Sequence, residues 1–304
     1  MIGVFNCPIL QKILLFCHRY MCVEEKVIKG ELKEEVHHRE VSTWAKKILQ
    51  GSEYMLWLAF VPTESMDECC SRTYKHKFWK DSAENIFCSP QNSVSWHQHR
   101  QFRITGSRCY SLFTASNNKK TDWEKKSQLY FWPKNFESEF TKLGHLGEKL
   151  CKPIYEDYCK EKGCTFVGDS GLIVNSLNPW LGYSPDGLVF KDEEIERIVE
   201  IKTVKAGKTK HIDEVLPTCK FLNKEKDGYI LKRKHQYYGQ VTLGMVMTGA
   251  TKCDFITFCV YDSSMAIEEI DLDPEFARTF ISTLKHTFFS KMLHNICLSE
   301  NNNI

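Results

Sequence analysis

Net charge is almost missing from this chain: 41 Lys and Arg stand against 39 Asp and Glu, a formal +2. A global basic excess therefore cannot argue for a polyanionic partner, and any such case must rest on local charge. Long apolar runs are also missing. The moderately apolar stretch from Met1 to Tyr20 is broken by Asn6, Pro8, Gln11 and Lys12. Neither a signal peptide nor a membrane span is read there, so a soluble, intracellular protein is expected. No internal repeat and no low-complexity tract is visible. The 14 cysteines include no CxxC pair; Cys69 and Cys70 are adjacent, and Cys159 and Cys164 lie five apart. Zinc sites usually show tight paired spacing, so these cysteines read as free thiols, mostly small core hydrophobes in a reducing compartment.

What is present is ordinary for a globular protein, with 42% hydrophobic and 26% charged residues over 304 positions. That length suits one large domain with an extension. Residues 1–92 read as an N-terminal extension of open role, with helical apolar patterns over 9–23 and 41–58 and a charge-rich stretch over 24–40. Organisation improves over residues 93–298. Residues 136–162 read as a helix with Leu146, Leu150, Ile154, Tyr155 and Tyr158 on one side, kinked at Pro153 because proline donates no backbone bond. Strands are expected over 166–175, 188–190 and 198–203, then a helix over 231–247, then strands over 253–261 and 265–272. Asp273 and Pro274 make an N-cap and first-turn proline for a last helix reaching about Ile296. Its Phe276, Phe280, Leu284, Phe288 and Met292 form a core-facing stripe. The order predicts an α/β protein whose mixed central sheet is flanked by helices.

The chemistry concentrates in Ser184-Pro185-Asp186-Gly187 and, after a short strand and a charged turn, Glu200-Ile201-Lys202. Pro-Asp-Gly puts Asp186 at a sharp turn entering a strand, and a hairpin returns the next strand beside it. Glu200 and Lys202 are two apart, so their side chains share a face. Two carboxylates and an ammonium thus converge at one end of a sheet. Magnesium takes such oxygen ligands, with water and substrate phosphate completing its shell. Lys202 would orient water or stabilise developing charge, or act as a base if its pKa were lowered. The alternative is a hairpin carrying a surface ion pair.

Asp186 with Glu200-Ile201-Lys202 fourteen residues on resembles the PD-(D/E)XK nuclease motif. The SPDG form, the segment from Trp96 and Arg100 to Ile104-Thr105-Gly106-Ser107, the Gly144-to-Glu148 spacing and the His235-to-Val241 helix with its glutamines resemble the phage lambda exonuclease, or YqaJ-type viral recombinase, family in particular. Gly106 stands where that family usually has alanine. The similarity runs from about Trp96 to the last helix. It implies a restriction-endonuclease-like core over 93–298 and a magnesium-dependent deoxyribonuclease, with manganese as a substitute. Asp186, Glu200 and Glu148 would hold the metal, Lys202 would be the catalytic lysine, and Gln240, with Gln236 one turn before it, would face the same site. Arg100, Ser107 and Ser184 would hold a 5′-phosphate, a role suited to a guanidinium flanked by hydroxyls. The implied substrate is duplex DNA with 5′-phosphorylated ends, degraded 5′ to 3′ in recombination or end processing. Some relatives form rings, so a homo-oligomer is open. The rival readings are an inactive DNA-binding derivative and an endonuclease or RNA-directed relative.

Residues 202–234 hold ten Lys and Arg against four Asp and Glu, a stretch suited to following a DNA backbone. Trp123, Tyr130, Phe131 and Trp132 read as packing residues before base-stacking ones. His37, His38, His97 and His99 read as ordinary histidines rather than metal ligands.

Overall fold

A computed structural model describes residues 3–5, 66–87, 89–133, 138–168, 170–175, 177–192 and 194–301. The helical patterns expected over 9–23 and 41–58, with His37 and His38, lie outside these residues. A short strand β1 (Gly3–Phe5) is followed by helices α1 (Glu68–Phe78), α2 (Ala83–Phe87) and α3 (Val94–Gln101). Strand β2 (Ile104–Thr105) leads into α4 (Gly106–Ser116), α5 (Trp123–Phe131) and the long α6 (Glu139–Glu161). Five strands follow: β3 (Thr165–Val167), β4 (Ile173–Asn175), β5 (Asn178–Tyr183), β6 (Gly187–Lys191) and β7 (Glu194–Thr203). A short α7 (Ile212–Val215) and the hairpin β8 (Leu222–Glu225) and β9 (Gly228–Leu231) precede α8 (Gln236–Thr248). The chain ends in β10 (Lys252–Phe258), β11 (Met265–Asp271), α9 (Pro274–Thr287) and α10 (Leu293–Asn301), the last two joined by a π-helical turn, Phe288–Met292.

The main sheet runs β1-β11-β10-β7-β6-β3. It is mixed: β10 pairs parallel with β7, and the other neighbours are antiparallel. A parallel pair needs a long crossover, and α8 lies in the stretch between these strands. Alternation along β7 sends Val199 and Ile201 to the α6 side, where they pack with Cys151, Tyr155 and Cys159. Ile198 belongs instead to the larger core built by α4, α8 and α9. Helices therefore cover both faces, as expected.

The last helix begins as predicted: Asp273 accepts the Glu275 and Phe276 N–H groups, and Phe280, Leu284, Phe288 and Met292 are all fully buried. Three expectations fail locally. Residues 166–175 are not one strand but β3 and β4, in different sheets. The segment 178–183, where no strand was expected, is the fully buried strand β5. The buried face of α6 is Leu143, Gly147, Cys151, Tyr155 and Cys159, while Leu146 is exposed. Small residues win that face because the helix must approach the sheet closely: a Cβ on Gly147 would sit 1.7 Å from the Thr203 hydroxyl. Cys70, Phe78 and Phe87, from the helices that precede residue 93, join the main core.

Candidate active site

The bend between β5 and β6 carries Asp186. Gly187 opens β6 beneath the Phe166 ring, which a Cβ there would meet at 2.1 Å. Gln91 secures the bend from outside, its amide donating to the carbonyls of Ser170 at 2.9 Å and Pro185 at 3.0 Å. Asp186 Oδ2 accepts the Ile201 N–H at 2.7 Å, which ties the bend to β7. Its other oxygen has no protein partner among the described residues. Glu200, only 1% exposed, projects from β7 to the opposite face from Val199 and Ile201. Its Oε2 accepts the Tyr183 hydroxyl at 3.0 Å, and its Oε1 accepts Lys202 Nζ and Gln240 Nε2, each at 2.5 Å. The Lys202 ammonium also lies 4.7 Å from the centre of the Tyr237 ring.

Acids outnumber cations here, and their ionisation shows it. Burial pushes Glu200 up to about 7; the Lys202 charge opposes the rise and Asp186 adds to it. Glu148 on α6 is pushed up to about 8, first by burial and next by the Asp186 charge, against Lys152. Burial alone would lower Lys202, but the charges of Glu200 and Asp186 outweigh it and hold the ammonium above its usual range. Carboxylate oxygens that repel one another, one of them without a protein partner, are a donor set suited to a hard divalent cation. In donor chemistry, the set suits a divalent cation such as magnesium or manganese.

Arg100 connects a second cluster. Its guanidinium donates to Ser184 at 3.4 Å and Ser107 at 3.4 Å, and lies 4.0 Å from the Trp96 ring. Trp96 Nε1 also donates to Ser184, at 3.0 Å. Burial lowers Arg100 to about 10, with the nearby positive charge of Arg108 adding to the effect. Among the described residues no carboxylate pairs with Arg100. A guanidinium without a carboxylate partner, set beside hydroxyls, has the chemistry to receive an anion. Ser184 adjoins the Asp186 bend, so this cluster and the first acid share one loop.

Other predicted residues fall less centrally. Gln236 is exposed at the start of α8 and makes no hydrogen bond to the acids among the described residues, whereas Gln240 one turn later does. Within the basic stretch, Lys205, Lys208, Lys210, Lys220, Lys224 and Lys226 are exposed. Tyr130 and Phe131 are buried packing residues, as read. His97 stacks edge-on against Trp96, and His99 lies 3.9 Å from Asp81. Tyr183, Tyr237 and Gln91 were not foreseen. Tyr183 directly precedes the Ser184 motif, yet its bond to Glu200 joins strands of two different sheets.

A carboxylate pair and lysine at the end of a mixed sheet between helical layers define a restriction-endonuclease-like α/β core. The YqaJ-like viral recombinase domain matches residues 95–251, just over half of the chain. The chain belongs to that family. Among curated proteins no relative matches it. Similar solved structures include an alkaline exonuclease from Laribacter hongkongensis, 19% identical, with 69% of this chain and 97% of that one covered at a TM-score of 0.48. The same enzyme's complex with dAMP aligns at 20% identity, the same coverage and a TM-score of 0.49. The Shutoff and Exonuclease Protein of the Kaposi's sarcoma-associated herpesvirus is 10% identical, with 87% of this chain and 95% of that one covered at a TM-score of 0.43. No helix among the described residues is long and apolar enough to cross a membrane.

Proposed function

We propose that this chain is a divalent-metal-dependent DNA exonuclease that hydrolyses phosphodiester bonds inward from the 5′ ends of duplex DNA. The observation that carries this reading is the buried Glu200, bonded to Tyr183, Lys202 and Gln240 within one loop of Asp186. Asp186, Glu200 and Glu148 would hold magnesium, with manganese as a substitute. Magnesium bound there supplies an activated water and neutralises charge on the phosphoryl group. Lys202, kept protonated by its acidic neighbours, places positive charge where negative charge develops. Tyr183 and Gln240 fix the orientation of Glu200, so the carboxylate does not reorganise during reaction.

Arg100, Ser107 and Ser184 receive the terminal 5′-phosphate, which sets the enzyme at a strand end. Gln236 extends the polar face of α8 toward the DNA. The exposed lysines from Lys205 onward follow the backbone. The nuclease unit extends from about residue 68 rather than 93, because α1 and α2 supply part of its core.

The test compares wild type with Asp186→Ala on 5′-phosphorylated linear duplex, 5′-hydroxyl duplex, circular duplex and RNA. The expected result is release of mononucleotides from the phosphorylated linear duplex with magnesium, and loss of at least about a thousandfold in the variant. Equal inertness of both proteins would favour a DNA-binding derivative. A preference for circles would remove the role given to Arg100.

A further inference from the structure

Helices α1 and α10, far apart in sequence, bring Cys69, Cys70, His294 and Cys297 together, with all four ligating atoms within 4.8 Å of one another. Cys69 Sγ lies 3.7 Å and Cys70 Sγ 3.5 Å from His294 Nδ1, and Cys70 and Cys297 are separated by 3.6 Å between sulfurs. A tetrahedral zinc ion with Zn–S near 2.3 Å and Zn–N near 2.0–2.1 Å needs edges of about 3.8 Å between sulfurs and about 3.6 Å from sulfur to nitrogen. The three separations match those edges to within about 0.2 Å.

Packing alone does not ask for this. A buried thiol is content as a small hydrophobe and needs no polar partner. A disulfide would join one pair and leave the third sulfur and the imidazole unexplained. Cys70 and Cys297 are buried, while His294 is exposed and Cys69 half-exposed, which gives a dry floor and an entry side. Cys69 and Cys70 both lie in the first turn of the 11-residue α1.

We propose that Cys69, Cys70, Cys297 and His294 form a structural Zn²⁺ site that clamps α1 to α10. Three thiols each lose a proton to solvent as their sulfurs bind, and a neutral imidazole binds through Nδ1, so uptake of one ion releases three protons. All four positions are filled by protein, so the site is closed and has no place for substrate. The clamp sits beside aromatic packing between the same parts of the chain, where Phe78 meets Phe288 at 5.9 Å and Tyr74 meets Phe289 at 5.4 Å. CxxC spacing is absent because adjacent cysteines on one helix and an i, i+3 His–Cys pair on another supply the ligands. The proposal is independent of the acidic site.

The test uses the full chain purified under reducing conditions without chelator. Elemental analysis should find one zinc per chain, retained in Asp186→Ala and lost in Cys70→Ser/Cys297→Ser. Cobalt(II) replacing the zinc should show thiolate charge-transfer absorption and the strong visible bands of a tetrahedral site. Because the double variant removes buried groups, His294→Ala at an exposed position provides a folded control. It should keep the wild-type circular dichroism and bind zinc at least tenfold more weakly. The proposal is overturned if wild type takes up no zinc and gives no tetrahedral cobalt spectrum. It is equally overturned if uptake is unchanged in the variants, or if the reduced preparation carries a Cys70–Cys297 disulfide by mass.

Discussion

A buried carboxylate is stable only when it is hydrogen-bonded or neutral, and Glu200 is held by three donors while its ionisation is raised to about 7. Under the proposed function the ionised form of Glu200 holds the cation, so activity should fall as pH drops through that range. Tyr183 donates to the ionised form and thereby favours it. In Tyr183→Phe the acid becomes harder to ionise, and the acidic limb of the pH profile of kcat/KM should move upward by about one unit while the alkaline plateau changes little. A limb that stays in place would show that another group controls it. Arg100→Ala should cost the preference for 5′-phosphorylated over 5′-hydroxyl ends, by about tenfold or more, while cleavage of the hydroxyl substrate changes little. Competition between the two labelled duplexes measures this directly.

At the scale of elements, the packing of α6 on β7 positions Glu148 against Asp186. Gly147 makes that approach, whereas a Cβ on Gly144, one turn earlier, would meet nothing within 4 Å. Gly147→Ala should therefore destabilise the fold by about 1–3 kcal/mol and lower activity, and Gly144→Ala should stabilise it by about 0.5–1 kcal/mol with activity retained. Thermal unfolding and turnover of the two variants give the comparison. The same helix shows where sequence reading fails. Its extent was legible from apolar periodicity, but its buried face was not, because Gly147, Cys151 and Cys159 are small and the larger Leu146 points to solvent. Likewise β5 is hidden because Pro179 and Gly182 read as turn residues, although all six positions are buried. The shared face of Glu200 and Lys202, which bond to each other, was legible because side chains two apart on a strand point the same way. Tyr183 was not, because it reaches Glu200 from β5, a strand of a different sheet.

Across the whole molecule, near-neutral net charge conceals a basic stretch after the acids. Lys205, Lys208 and Lys210 are exposed there. Replacing all three with glutamine should weaken DNA binding evenly across sequences. It should also flatten the plot of log affinity against log salt by up to about 0.9 for each phosphate no longer neutralised. An unchanged slope would place the DNA path elsewhere.

Gln91 has a practical consequence for anyone trimming the protein. The family match starts at residue 95, a natural place to begin a shortened version. Such a fragment would delete the amide that bridges the Ser170 and Pro185 carbonyls, along with the two helices before it. The loop bearing the first acid would lose its outer brace, and a minimal version would be expected to misplace Asp186 while keeping every residue of the motif.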